Sequence, residues 1–480
     1  MNHKDMLRVK TLLVAILLTT IVTSHYGQEA NVQINRDHNK IVIKNRNGFS
    51  SFDVELRGKI QLTDDDKDIK SMSPDGYLEV KKTVFGSRRT LIVSPEANGL
   101  KKEYYEGRTK VPFEPAGRAW MAEVLPELVR STTLGAESRV DRFFKQGGPP
   151  TVLNEIDKLE SNYVKSHYAN LLMKQAIKPS DYSRVIDHIA GTLNSNYYLA
   201  GFLKGNMSKF VKSSDALEAA FRATNEMDSD HYKTEVIKTG LETEFITANA
   251  VKVIMKSAGS MDSDHYKTEV LTSLLRKENL DDEIIGEMIN TSKTIDSDYY
   301  RSVVLNRALN KNGLSNASFQ RALESVKDID SDHYKSEVLT SLLREPITDD
   351  LQMTLINITG SIDSDHYRSR VLEVILDKQK VNDQVFIELI TNAGSIDSDH
   401  YASLVMKDAL AHPLSDNSMI SLFDAAGRIG SDHYLSEVLI TAAPKIRNSN
   451  NRVKDAFNAA ARKIDSETYY GRVMRAVNDN

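Results

Sequence analysis

Apolar and polar positions follow two different periods along this chain, and the change of period marks its organisation. Between residue 31 and about residue 113 the apolar positions come in short alternating runs separated by turn dipeptides, the pattern of a β-meander. Ile41-Val42-Ile43 leads to Asn47-Gly48, and Phe52, Val54 and Leu56 alternate with polar residues. Asp75-Gly76 precedes Tyr77 to Val80, Asn98-Gly99 separates Leu91 to Val93 from Leu100 to Tyr105, and Glu106-Gly107 makes a last turn. Asn-Gly and Asp-Gly allow the positive φ angles of tight hairpins. Six to eight strands in a small antiparallel sheet or sandwich are therefore expected.

From Ala116 the period becomes helical. Trp120, Val124, Leu125 and Leu128 share a face, and Pro126 is expected to kink or shorten that helix. Val140, Phe143 and Phe144 mark a second helix, which Gly147-Gly148-Pro149-Pro150 stops. This bridge, residues 116–150, is expected to pack the β-domain against the helical region beyond it and to cover the apolar end of that region.

Residues 151–480 repeat themselves. The stretch Ile-Asp-Ser-Asp-His-Tyr-Lys at Ile329 to Lys335 returns in variants, with its serine at Ser161, Ser195, Ser229, Ser263, Ser297, Ser331, Ser364, Ser398, Ser431 and Ser466. Successive copies lie 33 to 35 residues apart, room for two helices of three to four turns with tight connections. The expectation is a mainly α chain: an α-solenoid of about ten helix pairs behind a small antiparallel β-domain.

The serine, a strong N-cap residue, should start the second helix of each pair, with the flanking aspartates favoured at the positive end of the helix dipole. Ser229, Ser263, Ser297, Ser331, Ser364, Ser398 and Ser431 are the expected structural caps. Placed on a helix from Ser263, Tyr266, Val270, Leu271, Leu274 and Leu275 share one half of the circumference, while Thr268, Glu269, Thr272, Ser273 and Arg276 take the other. Lys267 lies inside the apolar arc. Its equivalents are Lys165, Leu199, Lys233, Arg301, Lys335, Arg368, Ala402, Leu435 and Tyr470, which suits a half-buried stem whose charged end snorkels towards an Asp of the next copy. In the first helices, Ile284, Ile285, Met288 and Ile289, or Leu389, Ile390 and Ala393, show the core stripe.

The motif tyrosine, as at Tyr266 or Tyr334, borders the apolar arc and should pack between copies with its hydroxyl bonded to a neighbouring loop. The residue before it projects from the polar side. His231, His265, Tyr299, His333, His366, His400 and His433 make a candidate ridge for a partner, with structural contacts such as His231 to Glu235 as the plainer role. Neighbouring copies should place these rings on the order of 10 Å apart. That is too far for two to share a zinc ion, whose ligand bonds are about 2 Å.

Composition narrows the function. Lys4, Arg8 and Lys10 precede an apolar run from Thr11 to Thr23, so residues 1–27 read as a secretory signal; a retained anchor is the other reading, for a run shorter than the ~20 residues a span needs. The formal charge of −5 becomes −7 without that segment, a poor basis for sequence-independent nucleic-acid binding. The chain has no cysteine, which excludes thiol catalysis and cysteine-ligated metal. Asp64, Asp65, Asp66 and Asp68 lack the glycine and distal glutamate of a calcium loop and read as a solvated turn. Lys81, Lys82, Arg88, Arg89, Lys101 and Lys102 on neighbouring strands are either a basic strip for an anionic partner or edge lysines that discourage aggregation. The zinc-peptidase, phosphate-loop, nucleophile-elbow and dinucleotide motifs are absent. No cofactor or metal is expected, and an enzymatic reading would need a pocket around Trp120, Tyr163 and His167.

The copies share the pattern apolar-x-Ser-Asp-aromatic-x-Lys-x-x-Val-Leu, and Ser73-Pro74-Asp75-Gly76-Tyr77-Leu78, Gly117-Arg118-Ala119-Trp120 and Leu125-Pro126-Glu127-Leu128-Val129-Arg130 precede them. With these features the chain resembles bacterial extracytoplasmic α-solenoid repeat proteins of the broad HEAT/TPR-like class, a repeat also found appended to membrane metallopeptidases of the β-lactam-sensor type. The peptidase motif is missing here, and only the period matches the TPR class. The resemblance implies a secreted or periplasmic protein. The expected function is that of a non-catalytic scaffold binding a protein or peptide along the solenoid, with no membrane span after signal cleavage. The alternative is a sensor or accessory subunit of an envelope signalling or peptidase system.

Overall fold

The computed structural model describes residues 31–37, 40–47, 50–243, 246–278 and 280–478. The expected leader, residues 1–27, and the Gly48 position of the first turn lie outside them. The chain divides into two compact units, Met1–Glu226 and Met227–Asn480.

The first unit opens with nine strands: β1 (Asn31–Asp37), β2 (Lys40–Asn47), β3 (Ser50–Arg57), β4 (Ile60–Leu62), β5 (Ile69–Met72), β6 (Tyr77–Val84), β7 (Ser87–Glu96), β8 (Gly99–Glu106) and β9 (Thr109–Val111). They form one antiparallel sheet in the order β1-β2-β3-β6-β7-β8-β9, with β4 and β5 pairing separately. Alternation decides the faces: Phe52, Val54 and Leu56 of β3, Leu78 and Val80 of β6, and Leu91 and Val93 of β7 are all buried. The helix α1 (Arg118–Ser131) covers this face with Trp120, Met121, Val124, Leu125, Leu128 and Val129. Trp120 sits 5.7 Å from the ring of Tyr104. Each large side chain so buried contributes about 1.5–3 kcal/mol, which explains why α1 runs through Pro126 to Ser131 instead of ending there. The seven-stranded sheet under α1, with the separate β4–β5 pair adding Ile60, Leu62 and Ile69 to the same core, replaces the sandwich alternative.

The acidic turn differs from expectation. Asp64 stays exposed, but Asp66, in the left-handed region at φ 58°, pairs with Arg139 and Arg142 of α2 (Ala136–Ile156), and Asp68 pairs with Lys102 and Arg118. The turn is thus an anchor to the helices, not a solvated loop. Helix α2 is itself broken at Gly147 and Gly148, the latter at φ 67°, and Pro149 and Pro150 restart it, as suits a residue type that tolerates the first turn but not the interior. The unit continues with α3 (Asn162–Leu172), α4 (Tyr182–Thr192), α5 (Asn196–Phe210) and α6 (Ser214–Arg222).

The second unit is a helical array of two alternating sets. The motif helices are Asp230–Gly240, Asp264–Leu274, Asp298–Leu309, Asp332–Leu342, Asp365–Lys378, Asp399–Ala409, Asp432–Ile446 and Glu467–Asn478. Between them lie Ala248–Gly259, Asp282–Ser292, Asn316–Lys327, Asp349–Thr359, Asp383–Ala393, Asp416–Ala426 and Asn451–Ala461. Each helix packs on the next member of its own set, and those from Ala248–Gly259 to Asn451–Ala461 also pack on a sequence neighbour. Val270, Leu271, Leu274, Leu275, Ile284, Ile285, Met288 and Ile289 are all buried, and the series recurs copy after copy. This is the stacked helix-pair architecture that the period predicted.

Candidate functional site

The motif divides its residues among tasks that adjacency alone did not reveal. Each motif serine stands at the N-cap position with extended backbone, but Ser229, Ser263, Ser297, Ser331, Ser364, Ser398 and Ser431 make no side-chain capping bond. This corrects the expected capping role: each of these serines starts its helix with its backbone and not with its hydroxyl. Their ψ values are 111–118°. The residues that do cap with their side chains, Thr247, Asp281, Ser315, Asn382, Ser415 and Asn450 on the other helix set, have ψ of 155–171°.

What holds the serine backbone is the aspartate of the preceding copy. Asp230 accepts the N–H of Ser263, Asp264 that of Ser297, Asp298 that of Ser331, Asp332 that of Ser364, Asp365 that of Ser398, Asp399 that of Ser431 and Asp432 that of Ser466, each at 2.8 Å. The carboxylate after the serine is therefore a link between copies. In the first unit Asn162 takes this part, accepting the N–H of Asn194 at 3.1 Å.

The cation of the motif also acts between copies, on a different target from the one expected. Lys267 Nζ donates to the carbonyl of Thr294 at 2.7 Å, and Arg301 donates to the carbonyls of Ile295 and Asp328. Both Lys267 and Arg301 are buried. Their positive ends meet the unsatisfied carbonyls and negative dipole at the end of the intervening helix, so an Asp of the next copy is not the main partner. Arg368 bonds Asn392 and the Ser395 carbonyl. Burial lowers its guanidinium from the usual value, against the pull of Asp365 and Asp397.

The candidate ridge residues lie in a line of rings. Within a copy the ring before the tyrosine sits 5.0–5.2 Å from it, as in His231–Tyr232 and His333–Tyr334. Between copies the same ring meets the next tyrosine at 5.4–5.9 Å: His231–Tyr266, His265–Tyr300, Tyr299–Tyr334, His333–Tyr367, His366–Tyr401, His400–Tyr434 and His433–Tyr469. The result is an unbroken ladder from Tyr232 to Tyr469, tilted by 54–61° at each step. Tilted pairs at this separation are favourable beyond their burial. His231, His265, Tyr299, His333, His366, His400 and His433 are exposed, and the motif tyrosines are half-buried beside them. The tyrosines thus pack between copies as expected, with a histidine ring as the neighbour. At Tyr300 the hydroxyl points to His265 Nδ1 at 3.5 Å. His433 also reaches Glu437, one turn along, at 3.6 Å.

These placements separate the groups a catalytic triad would need together: the aspartate faces the next copy's backbone, and the histidine lies between aromatic rings. Trp120 is buried under the β-sheet, while Tyr163 packs against His167 and Tyr198 at 6.3 and 6.2 Å, so the three do not line one cleft. Among the described residues no group of three His, Asp or Glu side chains is arranged to hold a metal ion.

A buried polar cluster in the first unit was not foreseen. Arg139, 2% exposed, donates to Tyr168 Oη at 3.0 Å and pairs with Glu155 and Asp66. Burial opposes the Arg139 charge, but Tyr168, Glu155 and Asp66 outweigh it and hold the guanidinium above its usual value. Burial likewise pushes the Tyr168 hydroxyl well above the ordinary tyrosine range. Only the spacing of Arg139 from the acidic turn, 73 residues away, separates this cluster from a readable motif.

Among solved structures, one from "Computational Design of Self-Assembling Cyclic Protein Homooligomers" is matched over 72% of this chain and 98% of its own, at 9% identity and a TM-score of 0.12, too slight a likeness to bear on fold or function. No family model and no curated protein matches the chain.

Proposed function

We propose that the protein is a non-catalytic extracytoplasmic scaffold that binds a protein or peptide partner along the array, with the ring ladder as the contact surface. The carrying observation is the ladder itself: seven exposed rings in register, each braced by tyrosines on both sides. Rigid aromatic side chains with polar edges lose little conformational entropy on binding and serve well as contact anchors. An array of stacked copies presents such anchors at a constant interval to an extended partner. The resemblance to extracytoplasmic solenoids supports the location. The division of labour within the motif supports a binding role, because its aspartates and cations are engaged in joining copies.

The test is crosslinking with mass spectrometry in the native envelope, comparing the wild type with His265→Ala, His333→Ala, His366→Ala and His400→Ala combined. A partner that crosslinks to the motif helices of the wild type should be lost from the variant while its circular dichroism stays unchanged. A partner recovered equally by both proteins, or repeated failure to recover any, overturns the proposal.

A further inference from the structure

The β6–β7 hairpin carries an anomaly that the array does not explain. Val84 pairs with Ser87, leaving Phe85 and Gly86 as the two central turn residues, at φ 47° and 81°. Positive φ at both positions is the requirement of a type I′ turn, in which Asn-Gly is favoured. A phenylalanine there is a genuine conformational outlier. Phe85 is also 81% exposed, and Val84 beside it 41%. Strained residues persist where the surroundings impose them and cluster at functional positions.

Among the described residues at this tip, three arginines stand against two glutamates. Of the basic residues on these strands, Lys81, Lys82, Lys101 and Lys102 have carboxylate partners in Glu79, Glu127, Glu103 and Asp68. Arg88 and Arg89 are exposed next to the tip, with Glu123 3.9 Å from Arg89. The β8–β9 turn lies at the same end of the sheet, since Gly107 N–H donates to the Arg88 carbonyl at 2.8 Å, and it adds exposed Arg108. Glu106, paired in register with Arg89, is the acid of that turn.

We propose that this end of the sheet docks on an anionic lipid surface, Phe85 entering the headgroup region while Arg88, Arg89 and Arg108 pair with lipid phosphates. A protruding aromatic knob needs a preformed pocket in a protein partner, whereas a bilayer interface accepts it without one. Aromatic side chains favour that interface, and each basic residue near an anionic leaflet adds to attachment. The surface lies in the first unit and is independent of the ladder.

The experiment is sedimentation of the chain from residue 28 onward, which keeps every described residue, with vesicles of phosphatidylcholine containing about one third phosphatidylglycerol. Binding should exceed that to pure phosphatidylcholine and fall steeply with added salt. Phe85→Asn should weaken it about tenfold without lowering the thermal midpoint, because Asn suits the turn better than Phe; lost binding then cannot be ascribed to lost folding. Arg88→Ser with Arg89→Ser should weaken binding on the order of tenfold. Trp120 is the chain's single tryptophan and is buried, so the tryptophan introduced by Phe85→Trp should add an emission that shifts to the blue on vesicles. Absence of binding, equal binding by Phe85→Asn, an unshifted emission, or a soluble protein found covering Phe85 in place of lipid would each overturn the proposal.

Discussion

Asp298 accepts the backbone N–H of Ser331 at 2.8 Å, one whole copy along the chain. The same bond recurs six times in the second unit, and it reverses the relative importance of the two residues. Asp298→Ala should cost about 1.5 kcal/mol, the worth of a hydrogen bond to a charged group, and Asp298→Asn roughly half of that. Ser331→Ala should stay within about 0.5 kcal/mol, because its hydroxyl caps nothing. Urea midpoints of the three variants give the order, and a serine variant as damaging as the aspartate variant would refute it.

Arg139→Ala should destabilise the first unit by about 3 kcal/mol, since it removes the buried guanidinium between Glu155 and Asp66 and leaves them only their outer partners, Lys158 and Arg142. Arg139→Lys should recover only part of this, because an ammonium cannot reproduce the fork that meets Tyr168, Glu155 and Asp66 together. Near-UV circular dichroism of Trp120 during unfolding reads this unit directly.

The neighbouring Tyr168 predicts a dependence on alkaline pH. Its hydroxyl titrates higher in the folded chain than the ordinary value of about 10. Its contribution is therefore fully present below that pH and is lost as pH rises towards the folded value, because the unfolded phenol ionises first. Tyr168→Phe lacks this slope. Wild type should exceed the variant in stability at pH 9, and the gap should shrink by pH 11. A gap that stays constant in urea titrations at the two pH values would contradict the assignment.

In the ladder, a double-mutant cycle on His333→Ala and Tyr367→Ala should give a coupling of about 0.5–1.5 kcal/mol, read from thermal denaturation. His333 and Tyr401, two copies apart, should couple by less than about 0.3 kcal/mol. Equal values for the two pairs would mean that the rings merely lie near one another.

Much of this architecture was legible in the residues. The interval of 33 to 35 positions and the apolar arc of Tyr266, Val270, Leu271, Leu274 and Leu275 determine a stacked helical array, because period and amphipathic face are local properties that each copy states again. Alternation at Phe52, Val54 and Leu56 determined a strand for the same reason, and the exposed side of the motif helix, with His231 through His433, followed from angle alone. Which partner each motif residue meets was decided only by the tertiary structure. Asp298 and Ser331, or His333 and Tyr367, are brought together by the stacking of copies, and a sequence states separations along the chain, not across it. Asp298 was free to serve its own helix until stacking set the next copy's amide beside it. Arg139 and Asp66 meet across 73 positions, and the strained turn at Phe85 became visible only once β6 and β7 were paired. Local periodicity fixes elements, while contacts between distant segments depend on how those elements pack.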